Sequence, residues 1–83
     1  MERLRKLPHV VGLKQCEKAI RQGKAELAYL AMDADGWIKE GLEKTCAEHR
    51  VPLQMVPSRK ELAKACRIEV PAACAVLLCE SID

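Results

Sequence analysis

The side chains of this 83-residue chain with the clearest chemical potential are cations placed at expected helix starts. In "GLKQCEKAI", residues 12–20, a glycine closes an apolar run and a helix follows. At about 100° per residue, Lys14, Lys18 and Arg21 fall within roughly 60° of one another on that helix. Leu13, Cys16 and Ile20 cluster on a stripe more than about 100° away. The helix thus has a face for the core and a basic stripe with no acid in it. A solvated surface accounts for many such stripes. Two features point instead to an anion. Lys14 lies in the first turn, where a cation opposes the helix dipole. The N–H groups of that turn already attract negative charge. Arg59 and Lys60 repeat the pattern at the start of a later helix. If the strands before these helices are parallel, both starts share one edge of a sheet.

A third cluster is "RIEVPAA", residues 67–73, which reads as a loop. Ile68 and Val70 straddle Glu69 and precede Pro71. They either tuck under the loop onto the core or present an apolar tip to flat surfaces such as unstacked bases. Arg67 stands where a helix commonly ends in glycine with positive φ. Its backbone is either left-handed there or takes another path.

Other chemistry finds little support. The five cysteines, at 16, 46, 66, 74 and 79, form no Cys-x-x-Cys pair. A thiol function through Cys66 lacks a neighbouring histidine in sequence. His9 precedes a strand and His49 ends a helix on its apolar side, so both read as structural. Asp33 and Asp35 resemble half a carboxylate site, but a turn and a helix cap explain them. There is no Gly-rich phosphate loop and no triad signature. Neither a cofactor nor a metal is expected, and the chain reads as non-catalytic.

The elements that must position these residues follow from local pattern. "HVVG" reads as a short strand, and residues 14–22 as a helix ended by Gly23. Residues 25–33 read as a buried strand, "DADG" as a turn, and residues 36–49 as a helix. On that helix Ile38, Leu42, Thr45, Cys46 and His49 recur at helical spacing. A strand follows over residues 51–57. Ser58-x-x-Glu61 is a capping box that opens the next helix, and residues 74–79 form a last buried strand. Apolar strands alternating with amphipathic helices predict a three-layer α/β/α sandwich around a four-stranded mixed sheet.

Composition agrees. Eighty-three residues suit one domain, 1–83, led by a short basic arm over residues 1–7. Aromatic residues make up 2% and there is no Phe, so aliphatic, Ala and Cys side chains must fill the core. The net charge is +2 but unevenly spread. Residues 1–24 hold seven Lys/Arg against two Asp/Glu, whereas residues 25–56 hold three against six. The positive end suits a polyanion. No signal peptide or membrane-length apolar run is visible, and reduced, mostly buried thiols suit the cytoplasm.

Two segments, "VVGLKQCEKAIRQGKAELAYLAMDAD" and "CAEHRVPLQMVPSRKELAKACRIEVPAACAVLL", resemble the kink-turn-binding ribosomal protein family, of the L-seven-Ae and L-thirty-e type. The likeness is greatest to its small bacterial members and covers the chain from Pro8 to Leu78. It implies an α/β/α sandwich that binds kink-turn RNA, a bent duplex with tandem sheared G·A pairs. It implies that Gly12, Lys14 and Gln15 meet the guanines of those pairs, with Gly12 giving clearance, and that Lys18 contacts phosphate. Asp33 would orient that first element, and Arg59 and Lys60 would lie near the RNA backbone. Ile68, Glu69, Val70 and Pro71 would cover the bulged bases, and Arg67 could add a phosphate contact. Leu13, Met32, Ala63 and Arg67 depart from the family's pattern.

The function expected is therefore recognition and stabilisation of kink-turn RNA, ribosomal or regulatory, by a cytoplasmic monomer with no membrane association. The competing readings are a protein–protein adaptor of the same fold, using Ile68 and Val70, and a thiol enzyme or redox sensor using Cys66.

Overall fold

The structure, a computed structural model, describes residues 8–79; the arm expected over residues 1–7 lies outside them. The order is β1 (His9–Val11), α1 (Leu13–Arg21), β2 (Ala25–Ala31), α2 (Gly36–His49), β3 (Leu53–Val56), α3 (Arg59–Cys66) and β4 (Cys74–Leu78). The sheet runs β1-β4-β2-β3. β4 is antiparallel to both β1 and β2, and β2 is parallel to β3, which makes the sheet mixed. Successive strand residues point to opposite faces. Ala28, Leu30, Cys74 and Val76 meet Cys16, Ile20, Leu42 and Cys46 of α1 and α2. Tyr29, Ala75 and Leu77 meet Leu62, Ala65 and Cys66 of α3. The sandwich therefore has two helices on one face and one on the other, as the alternating pattern predicts.

Strand limits are narrower than expected. β2 stops at Ala31: the Met32 N–H still bonds the Val56 carbonyl of β3 at 2.8 Å, but the chain enters a turn there. β3 keeps only the residues between Pro52 and Pro57. It is not fully apolar, for Gln54 and Met55 are exposed on this outer strand. β4 ends at Leu78, and Cys79 beyond it is exposed. β1 and β3, of three and four residues, form the two edges of the sheet, and Pro8 precedes β1.

All three helices end alike. After a residue of positive φ, the next N–H returns to a carbonyl five positions back: Lys24 to Ala19, Val51 to Cys46 and Ile68 to Ala63, at 2.9–3.1 Å. Gly23 supplies the first bend, but Arg50 and Arg67 supply the others at φ of 57° and 60°. A side chain adopts that region at a cost of about 1 kcal/mol. Arg67 therefore takes the left-handed backbone of the glycine it replaces. His49 corrects an expectation. The stripe of Ile38, Leu42, Thr45 and Cys46 is buried or half-buried, but His49 is exposed. α2 outlasts the core, and the chain turns back at Arg50.

Leu13 packs inward, partly buried against the larger cluster. Its Cδ2 lies 3.7 Å from where a Cβ on Gly41 would stand. That distance is ordinary van der Waals contact. Gly41→Ala should therefore keep the packing and raise stability by up to about 1 kcal/mol through helix propensity. Thermal or urea unfolding reads the gain; a loss would show that α1 and α2 cannot accommodate the methyl group.

Candidate nucleic-acid interface

Strand direction gathers the candidate residues. Because β4 is reversed against β1 and β2, and β3 is parallel to β2, strands β1, β2 and β3 all point the same way. Their carboxyl ends share one edge, where α1, α2 and α3 begin. β4 starts at that edge too and brings the 67–73 loop with it. The Gly12 N–H donates to the Cys74 carbonyl at 3.2 Å, and the Ala31 N–H to the Ala73 carbonyl at 2.9 Å. The Ala72 N–H donates to the Arg59 carbonyl at 3.3 Å. Two helix starts, the end of β2 and one loop are thus tied through backbone bonds.

Gly12 has φ 97° and ψ 145°, a conformation that favours glycine. No protein atom lies within 4 Å of where its Cβ would stand. The protein itself therefore requires the glycine for its backbone angle rather than for clearance. Having no side chain, Gly12 caps nothing, and α1 starts with exposed Lys14 and Gln15 in its first turn. Lys18 is exposed one turn further along. Arg21 is also exposed, but its guanidinium lies 3.9 Å from the Glu17 carboxylate. The stripe is thus not free of acid: Glu17, on its flank, reaches Arg21 and also lies 3.1 Å from the Thr45 hydroxyl.

The start of α3 corrects the idea of two unneutralised cationic helix starts. The Ser58 hydroxyl accepts from the Glu61 N–H at 3.1 Å, the first half of the capping box. Asp33 Oδ1 accepts from the Arg59 N–H at 2.8 Å and lies 3.6 Å from Arg59 Nε. Asp33 therefore holds the start of α3 and neutralises part of Arg59. Asp35, in turn, precedes α2 but makes no side-chain cap. Lys60 is exposed. The loop splits its apolar pair: Ile68 is half-buried against the α3 side of the core, whereas Val70 is 66% exposed. Arg67, Glu69 and Pro71 are exposed beside it.

Sequence reasoning overlooked Trp37. It is 66% exposed in the first turn of α2 and lines an open groove with Gly12, Lys14, Gln15 and Pro71. The available signal was its position about 125° from the middle of the α2 apolar stripe, where a large aromatic has no core to fill. Met32, also exposed, follows β2 at the same edge.

The thiols do not suit catalysis. Cys66 is buried, and burial pushes its thiol up. Burial, aided by Cys74, pushes Cys46 up to about 11. A hydrogen bond with Cys74 and burial raise Cys16, while the same bond lowers Cys74. Thiolate chemistry at Cys66 would need the form that burial disfavours. Among the described residues, no cluster of His, Cys, Asp and Glu could hold a metal, and no helix is long and apolar enough to cross a membrane.

The fold is an α/β/α sandwich that gathers cations and an apolar loop at one sheet edge. The chain belongs to the ribosomal protein L7Ae/L30e/S12e/Gadd45 family, whose family model matches residues 3–81. It is 42% identical over 69 residues to an "RNA-binding protein" of Geobacillus thermodenitrificans, covering 83% of this chain and 84% of that relative. It is 41% identical over 69 residues to the RNA-binding protein YbxF of Geobacillus stearothermophilus, with the same coverage of each chain. Among solved structures, the Giardia lamblia 15.5kD RNA binding protein superposes with a TM-score of 0.76 at 31% identity, covering 87% of this chain and 61% of that one. A Bacillus halodurans protein of unknown function superposes at 0.78 with 25% identity, covering 83% and 69%.

Asp33 offers a test of how the edge is held. Asp33→Ala should cost about 1 kcal/mol, the usual worth of a helix-start acceptor. Asp33→Asn, which keeps an acceptor oxygen, should cost less. Denaturant midpoints for both variants check the ranking, and equal losses would assign the stabilisation to charge rather than to the hydrogen bond.

Proposed function

We propose that the chain binds RNA through this edge and that its target is a kink-turn. The observation that carries the reading is the convergence of Gly12, Lys14 and Gln15 with Lys60 and the 67–71 loop where β1, β2 and β3 end. The names of the relatives support RNA as the class of partner. Ordinary A-form RNA keeps its major groove too narrow for side chains, whereas a sharp bend with non-Watson–Crick pairs opens it. Lys14 and Gln15, exposed on the first turn of α1, can then reach guanine O6 and N7 acceptors. Lys18 holds phosphate a turn away. Lys60 and Arg67 add positive charge on the other side of the edge, with Arg59 drawn partly to Asp33. Ile68 anchors the loop from beneath while Val70 and Pro71 cover bulged bases. Specificity comes partly from contacts and partly from selecting RNA already able to bend. The protein acts in this reading as a cytoplasmic monomer on ribosomal or regulatory RNA.

A mobility shift with a kink-turn RNA, beside the same RNA with its G·A pairs made Watson–Crick, tests the reading. Binding should favour the first strongly, and equal binding would sink the kink-turn assignment. Lys14→Ala and Gln15→Ala should each lose ~1–3 kcal/mol and relax discrimination at the G·A pairs. Lys18→Ala should weaken binding to both RNAs alike and reduce the salt slope by about one unit.

A further inference from the structure

We propose that Trp37 is a stacking platform for an unpaired nucleobase, forming with Pro71 a slot beside Lys14 and Gln15. The inference rests on the RNA reading above and adds a contact to it. Trp37 is the chain's one tryptophan. The protein has no Phe, and apart from Tyr29 its core is filled by aliphatic, Ala and Cys side chains. Burying an indole would be among its largest available apolar gains, yet this indole is 66% exposed. It is held on the first turn of α2, a rigid element, not on a loose loop. The groove it lines takes Lys14 and Gln15 from α1 and Pro71 and Ala72 from the loop that runs into β4. The Gly12 to Cys74 bond joins the start of α1 to the strand that this loop enters. The slot is thus continuous with the candidate interface.

Charge decides the occupant. The groove is mostly apolar, and the cationic residue Lys14 is among those that line it. Its one acid, Glu17, is engaged with Thr45 and Arg21. A flat apolar face beside a cation fits a base attached to phosphate better than the aliphatic side chain of a protein partner. Stacking on an aromatic ring tolerates any base, so Trp37 would add affinity while Lys14 and Gln15 supply discrimination.

Because Trp37 is the sole tryptophan, the whole protein reports on itself. Indole fluorescence is titrated with a kink-turn oligoribonucleotide, in parallel with the mobility shift, and acrylamide quenching is measured free and bound. The expected result is saturable quenching that tracks the shift, several-fold lower acrylamide accessibility in the complex, and about tenfold weaker binding by Trp37→Ala. The salt slope of Trp37→Ala should stay unchanged, and Trp37→Phe should recover most of the loss. If the RNA shifts but the indole stays as accessible as in the free protein, or Trp37→Ala binds like the parent, the slot is not a base site and the RNA reading stands. If the parent itself gives no shift, the RNA reading fails and this inference falls with it.

Discussion

The carbonyls of Ala73 and Cys74 accept hydrogen bonds from the ends of two different strands, Ala31 of β2 and Gly12 after β1. That pair joins two strand ends at the candidate edge. β4 is the reversed strand between β1 and β2, so its first residues lie where theirs finish. A loop entering β4 therefore cannot move independently of the turn into α1. In a sheet with all strands parallel, the same loop would emerge at the far end, away from Lys14 and Gln15. One antiparallel insertion converts separate helix starts into a single surface.

The core explains why that surface can be held by so short a chain. Ala and Cys dominate both layers, and Leu13 of α1 packs beside Gly41 of α2. Small side chains bring the helices close without a large apolar area, and packing quality rather than size must then supply stability. The buried thiols act as small hydrophobes, with burial holding Cys46 and Cys66 in the protonated form. Among the described residues, the large apolar side chains that remain exposed, Met32, Trp37 and Val70, lie at the candidate edge, with Met55 on the outer strand.

Much of the architecture was legible from local signals. Helical spacing gave α1 and α2, Gly23 marked the end of α1, and the Ser58 cap marked the start of α3. The family likeness was legible in the motifs around Gly12 and Val70. What local pattern lacked was distance in sequence. Asp33 stands 26 residues before its partner Arg59, so its carboxylate read as a turn residue. Glu17 reaches both Arg21 and Thr45, and only the packing of α1 on α2 brings the second into range. Sequence spacing cannot say that α2 places Trp37 beside Lys14, because that needs the crossing of two helices. The splitting of Ile68 from Val70 likewise depends on how the loop is anchored, here by the Arg67 bend.

The prolines at the sheet margins have a separate consequence. β1 and β3 are very short, Pro8 precedes one, and Pro52 and Pro57 bracket the other. A proline offers no N–H, so neither margin presents a long run of donors to another strand. A cationic protein attracted to a polyanion experiences high local concentration, where copies meet repeatedly in similar orientations. Blunted margins keep such crowding from templating sheet extension, and with it fibrillar aggregation.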